Sequence, residues 1–81
     1  MHRIVSVVAY PDYSVEIHFA DGATKRVNLR SFIQGGLSLA LNDWQFFRQV
    51  SIDAEGGLVW PNGYDFCPNF LHDDVPAMQT A

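Results

Sequence analysis

A single cysteine, five basic side chains and no apolar run of membrane-spanning length set the first limits on this 81-residue chain. Cys67 has no second thiol to pair with, so an internal disulfide is excluded and a reduced, cytoplasmic setting is expected. The five Lys and Arg residues are outnumbered by nine Asp and Glu, for a formal charge of −4. Only Lys25 and Arg26 adjoin. A phosphate backbone is held by several converging cations, so direct nucleic-acid binding is not expected. The apolar stretch at Met1–Val8 is short and broken by Ser6, and it reads as neither a signal peptide nor a membrane span. There is no internal repeat and no low-complexity segment.

What the chain does have is apolar surface, 48% of its residues, with 14% aromatic. That is enough for one modest core and too little chain for two. The reading is a single α+β domain over residues 1–74, followed by a frayed tail over 75–81 that has lost its apolar pattern.

Ile4 to Ala9 is rich in β-branched residues and stops at Tyr10-Pro11-Asp12, which predicts a strand and a turn. From Tyr13 to Phe19 the chain alternates, with Val15, Ile17 and Phe19 on one face and Ser14, Glu16 and His18 on the other. Asp21-Gly22 predicts a type I′ turn into a third strand, Ala23 to Leu29. Ser31-Phe32-Ile33 before Gly35-Gly36 supports only a helical turn. A two-turn helix is expected from Asn42 to Gln49, capped by Asn42 or Asp43, with Trp44 and Phe47 sharing a face. Val50-Ser51-Ile52, the Glu55-Gly56-Gly57 turn and Leu58-Val59-Trp60 predict a second hairpin, ended by Pro61-Asn62-Gly63. Pro68 opens a last helical turn through Leu71. The expected architecture is a small antiparallel sheet built from the hairpins, its first three strands contiguous, with the short helix packed on one face.

Taken in order, these pieces resemble a known family. The strand before Pro11-Asp12-Tyr13, the strand ending Phe19-Ala20-Asp21-Gly22, then Val27-Asn28-Leu29, a Phe-rich short helix and Gly57-Leu58-Val59-Trp60-Pro61-Asn62-Gly63-Tyr64-Asp65 look like the uncharacterised bacterial family called domain of unknown function 2442. The likeness covers about residues 3 to 72. It implies a small α+β fold and no established activity. It also implies a protein partner, because members are often encoded beside another small family in arrangements resembling toxin and antitoxin pairs. Longer relatives carry a helix-turn-helix after this domain; in a sequence that ends at Ala81 no such helix pair is expected, and a regulatory role borrowed from those relatives is not expected either.

Several residues carry chemistry that could matter. Trp60 beside Pro61 either plugs the core or offers a flat surface to a partner, and Asn62-Gly63 supplies turn conformations. Asp65, Cys67 and His72 contain the atoms of a nucleophile, base and acid. The gap from Cys67 to His72 takes them off a shared helical face, so Cys67 reads as a small buried apolar group and His72 as a surface histidine. His18 faces the polar side of its strand and reads as solvated. His72-Asp73-Asp74 has metal-compatible atoms on consecutive residues that do not converge, and no metal site or cofactor is expected. Gly35-Gly36 lacks the pattern of a phosphate loop.

No polar set converges, and aromatics exceed what one core needs. The chain is therefore read as a non-enzymatic interaction module, acting through a protein partner or self-association. Its expected contact residues are Trp44, Trp60, Asn62, Tyr64 and Asp65, and the family resemblance implies the antitoxin-like member of a pair as its role. The rival is a small-molecule binder or weak enzyme, with a pocket near Trp60, Asn62, Asp65 and Cys67.

Overall fold

Strands form where the period of two is clearest. In the computed structural model, which describes residues 2–78, β1 (Ile4–Tyr10), β2 (Ser14–Phe19) and β3 (Thr24–Asn28) make an antiparallel meander in that order. Val15, Ile17 and Phe19 lie in the core with Val27 and Leu29, none more than 2% exposed. β1 pairs with β2 from Ile4↔Phe19 to Tyr10↔Ser14, with a one-residue shift between Ile4 and Ser6 that inserts Val5 as a bulge. Val5 is exposed while Ile4 is buried, which is how a bulge redirects a strand's side chains.

Both hairpin loops have the same form. The Tyr13 N–H donates to the Tyr10 carbonyl at 3.1 Å, and the Gly22 N–H donates to the Phe19 carbonyl at 3.0 Å. The left-handed residue comes third, at Tyr13 (φ 67°) and at Gly22 (φ 92°). Asp21 is not left-handed, so the expected type I′ turn is instead a three-residue loop closed by Gly22. Tyr13 is the one described non-glycine residue with positive φ, and its hydroxyl donates to the Asn42 carbonyl at 2.9 Å.

Beyond Leu29 the chain makes a 3₁₀ turn at Arg30–Phe32 and a longer 3₁₀ segment at Gly36–Asn42, then α1 (Trp44–Phe47). The helix expected over Asn42 to Gln49 is thus a single turn. Asp43 caps it, its carboxylate accepting the Gln45 N–H at 3.0 Å.

The remaining strands are short: β4 (Ser51–Ile52), β5 (Leu58–Val59) and β6 (Asp65–Phe66). They form a second three-stranded antiparallel sheet, so the one sheet expected from the hairpins is two. The third strand arises because the Pro61-Asn62-Gly63 turn folds the chain back. Gly63 has φ 89°, its N–H donates to the Trp60 carbonyl at 2.9 Å, and the Trp60 N–H donates to the Tyr64 carbonyl at 2.9 Å. The sheets meet where the Ile4 N–H donates to the Gly56 carbonyl at 2.9 Å.

α2 (Pro68–Asp73) has Pro68 at its first turn, as the sequence predicts. The segment expected as a frayed tail begins packed against the domain. Val75 is buried, and the Met78 N–H donates to the Arg26 carbonyl at 2.7 Å beside β3. Residues 79–81 of the expected tail lie outside the described residues.

Candidate functional site

Trp60 is placed by β5 and the turn after it, and its ring points inward. It is 2% exposed, and its indole N–H donates to the Phe47 carbonyl at 3.0 Å. A buried indole needs such a partner, because an unpaired donor there costs about 1–3 kcal/mol. The expectation that Trp60 forms a contact surface is therefore corrected: it is core.

Trp44 and Tyr64 lie at the two ends of the aromatic series that runs through it. Ring centres are 6.2 Å apart for Trp44 and Phe47, 5.9 Å for Phe47 and Trp60, and 6.1 Å for Trp60 and Tyr64. Trp44 and Tyr64 are both half-buried, so each gives one edge to the core and one to the surface. Arg48 lies 6.0 Å from the Trp44 ring centre. Burial raises the Tyr64 phenol above its ordinary value, and the neighbouring Asp65 charge adds to that. Asp65 is exposed on β6.

Asn62 holds the turn against the 3₁₀ segment. Its side-chain amide donates to the Leu37 carbonyl at 3.0 Å, and its side-chain oxygen accepts the Tyr64 N–H at 3.1 Å. Ser38 fixes the segment from within, accepting from the Gln34 N–H at 3.1 Å and the Gly35 N–H at 3.2 Å while donating to the Gly35 carbonyl at 2.7 Å. On this pinned backbone Leu37 and Leu39 are 58% and 54% exposed. Sequence reading missed both, since Leu-Ser-Leu-Ala-Leu in isolation looks like core; the signal available was the Gly35-Gly36 break before it.

Cys67 is exposed at the N-cap of α2, not buried as the sequence suggested, and His72 lies in the last turn of that helix. Cys67 and His72 are not brought together: the imidazole contacts Asp73, Asp21, His2 and Phe19 instead. Among the described residues no concavity of ligand size opens beside Trp60. His18 is half-buried, within 3.1 Å of the Thr24 hydroxyl and 3.4 Å of Glu16.

Two polar groupings were not foreseen. In one, Asp12 accepts from the Ser14 N–H and hydroxyl and, at 3.2 Å, from Arg26, whose guanidinium lies 4.0 Å from the Tyr10 ring centre. Ser14 is fully buried there and its hydroxyl also accepts from Arg26 at 3.0 Å. In the other, His2 comes from the opposite end of the chain to stack on His72, with ring centres 3.5 Å apart and planes 6° from parallel. The expectation that His72 and Asp73 have no converging partner is thus overturned by a residue that no local spacing could supply.

The fold and these sites define a small α+β domain whose buried aromatics are structural. A family model described as "Protein of unknown function (DUF2442)" matches residues 4–76, and the chain belongs to that family. No curated protein and no solved structure matches it. No helix among the described residues is long and apolar enough to cross a membrane.

Proposed function

We propose that this protein is a non-enzymatic interaction module that binds a protein partner through the Gly36–Asn42 segment, with Asn62, Tyr64 and Trp44 at its margins. The observation that carries this reading is the exposure of Leu37 and Leu39, 58% and 54%, on a backbone held by Ser38 and Asn62. Single exposed leucines are ordinary, but apolar groups presented on a rigid backbone lose little freedom on docking. The net charge of −4 favours a partner with a basic rim around an apolar centre. That charge suits the antitoxin-like role implied by the family resemblance, in which the module covers the working surface of a basic toxin.

The test is co-expression with the product of the neighbouring gene. The expected result is a co-purifying complex and rescued growth, both lost when Leu37→Lys and Leu39→Lys are introduced together. A complex that survives those substitutions, or no complex and no rescue with the native chain, counts against the proposal.

A further inference from the structure

His2, His72 and Asp73 each offer a ligand atom, and the three atoms lie within 4.8 Å of one another. Their arrangement is more specific than proximity. On one side of the stacked imidazoles, His72 Nδ1 lies 2.8 Å from Asp73 Oδ1 and His2 Nε2 lies 3.6 Å from Asp73 Oδ2. On the other side, the remaining ring nitrogens both approach Asp21 Oδ2, His72 Nε2 at 3.2 Å and His2 Nδ1 at 3.7 Å. Each ring therefore presents one nitrogen to Asp73 and its other nitrogen to Asp21.

We propose that His2, His72 and Asp73 bind a divalent transition ion of the zinc class, with Asp21 as the outer carboxylate that accepts the far N–H of both imidazoles. Two imidazoles and one carboxylate form a donor set such ions favour, and ligating histidines almost always give their second ring N–H to a carboxylate or carbonyl. Asp21 is fitted for that part because its other oxygen is already held by the Ala23 N–H at 2.9 Å. The ligands are anchored independently of any ion. The His2 N–H donates to Asn69 Oδ1 at 2.9 Å, and the Lys25 ammonium donates to the Leu71 and His72 carbonyls at 2.9 and 3.1 Å, fixing the end of α2. Phe19 packs edge-on against His72 at 4.7 Å.

Bonds of about 2.1 Å to a tetrahedral ion put ligand atoms about 3.4 Å apart, a spacing that the three atoms, within 4.8 Å of one another, already approach. The rings must also tilt out of parallel so that their lone pairs converge. Three protein ligands leave at least one coordination position for water. The site shares no residue with the Gly36–Asn42 segment and stands or falls independently of the partner reading.

The test uses untagged, chelator-stripped protein titrated with zinc chloride, followed by calorimetry and by imidazole nitrogen NMR. The expected result is one ion per chain, with His2 and His72 signals shifting together. His2→Ala and Asp73→Asn, both on accessible side chains, should each weaken binding at least tenfold, and Asp21→Asn should weaken it by about 10-fold while keeping the stoichiometry. Circular dichroism confirms that each variant is folded. No binding to the native chain, or binding unchanged in His2→Ala and Asp73→Asn, overturns the proposal.

Discussion

The indole N–H of Trp60 and the main-chain carbonyl of Phe47 are hydrogen-bonded at 3.0 Å, tying the strand β5 segment to the end of α1. That carbonyl, at the end of the helix, also accepts the Val50 N–H at 3.3 Å, so the bond pairs the buried indole donor and gives the carbonyl a second partner. Trp60 also fills the space between Phe47 and Phe66, with ring centres 5.9 Å away in each case.

Trp60→Ala should therefore cost about 3–5 kcal/mol, a large part of the stability of about 4–12 kcal/mol that a chain of this size has. Trp60→Phe keeps most of the ring volume and loses the donor, and should cost about 1–3 kcal/mol. Urea denaturation measures both. A loss under about 1 kcal/mol for the alanine variant would mean that the indole is not a core element.

Two glycines separate steric from conformational cost. At Gly57 an added methyl would lie 2.5 Å from the Phe66 carbonyl oxygen and 3.1 Å from Pro68 Cδ, so Gly57→Ala must push β5 off β6 and α2. At Gly63 there is open space but φ is 89°, so Gly63→Ala incurs only backbone strain, about 1–2 kcal/mol. Thermal unfolding should show a clearly larger drop in melting temperature for Gly57→Ala. Equal drops would contradict the close approach at Gly57.

The parts of this fold visible in the sequence are those decided by neighbours in sequence. The alternation Val15, Ile17, Phe19 identifies β2 because a half-buried strand has no other way to place its apolar residues. Gly22 marks a turn but not its type, since Asp21-Gly22 is compatible with both loop forms. The strand at Asp65–Phe66 escapes notice because two residues carry no period, and it exists only because Asn62-Gly63 returns the chain to β5. Trp60 reads as plug or platform until Phe47 is seen to offer its carbonyl. The stacking of His2 on His72 joins the two ends of the domain, and no spacing rule reaches that far. Val75 and Met78 belong to the same class: their partners lie across the fold.

Acid should erode stability through three aspartates whose folded pKa values lie below the ordinary range. Asp12 is lowered first by the Ser14 hydroxyl, with the Ser14 N–H and the Arg26 charge adding; Asp21 by the Ala23 N–H and then His72; Asp73 by His72. A carboxyl with a depressed folded pKa binds more protons when unfolded, so its contribution is full above the unfolded value of about 4 and disappears as pH falls through the lower folded value. Stability measured in chelator should thus be flat in this contribution above about pH 5 and fall below about pH 4. Asp12→Asn should be less stable than the native chain at neutral pH and show a shallower acid limb. An identical acid limb in that variant would show that Asp12 is not held by Ser14 and Arg26.

Leu37 and Leu39 offer the cleanest separation of packing from recognition, because both are more than half exposed while the bond that pins their segment uses the Leu37 main-chain carbonyl. Replacing their side chains leaves that bond in place. Leu37→Ser and Leu39→Ser should each change folding stability by no more than about 0.5 kcal/mol, as expected for surface positions away from caps and networks. If the pair is the centre of a docking surface, the same substitutions should weaken partner binding by far more, at about 1–2 kcal/mol or more per residue for apolar groups buried at an interface. Urea titration gives the first quantity and calorimetry with the partner gives the second. Large losses of stability would place the leucines in the core after all, and binding that survives both substitutions would remove this segment from the contact surface.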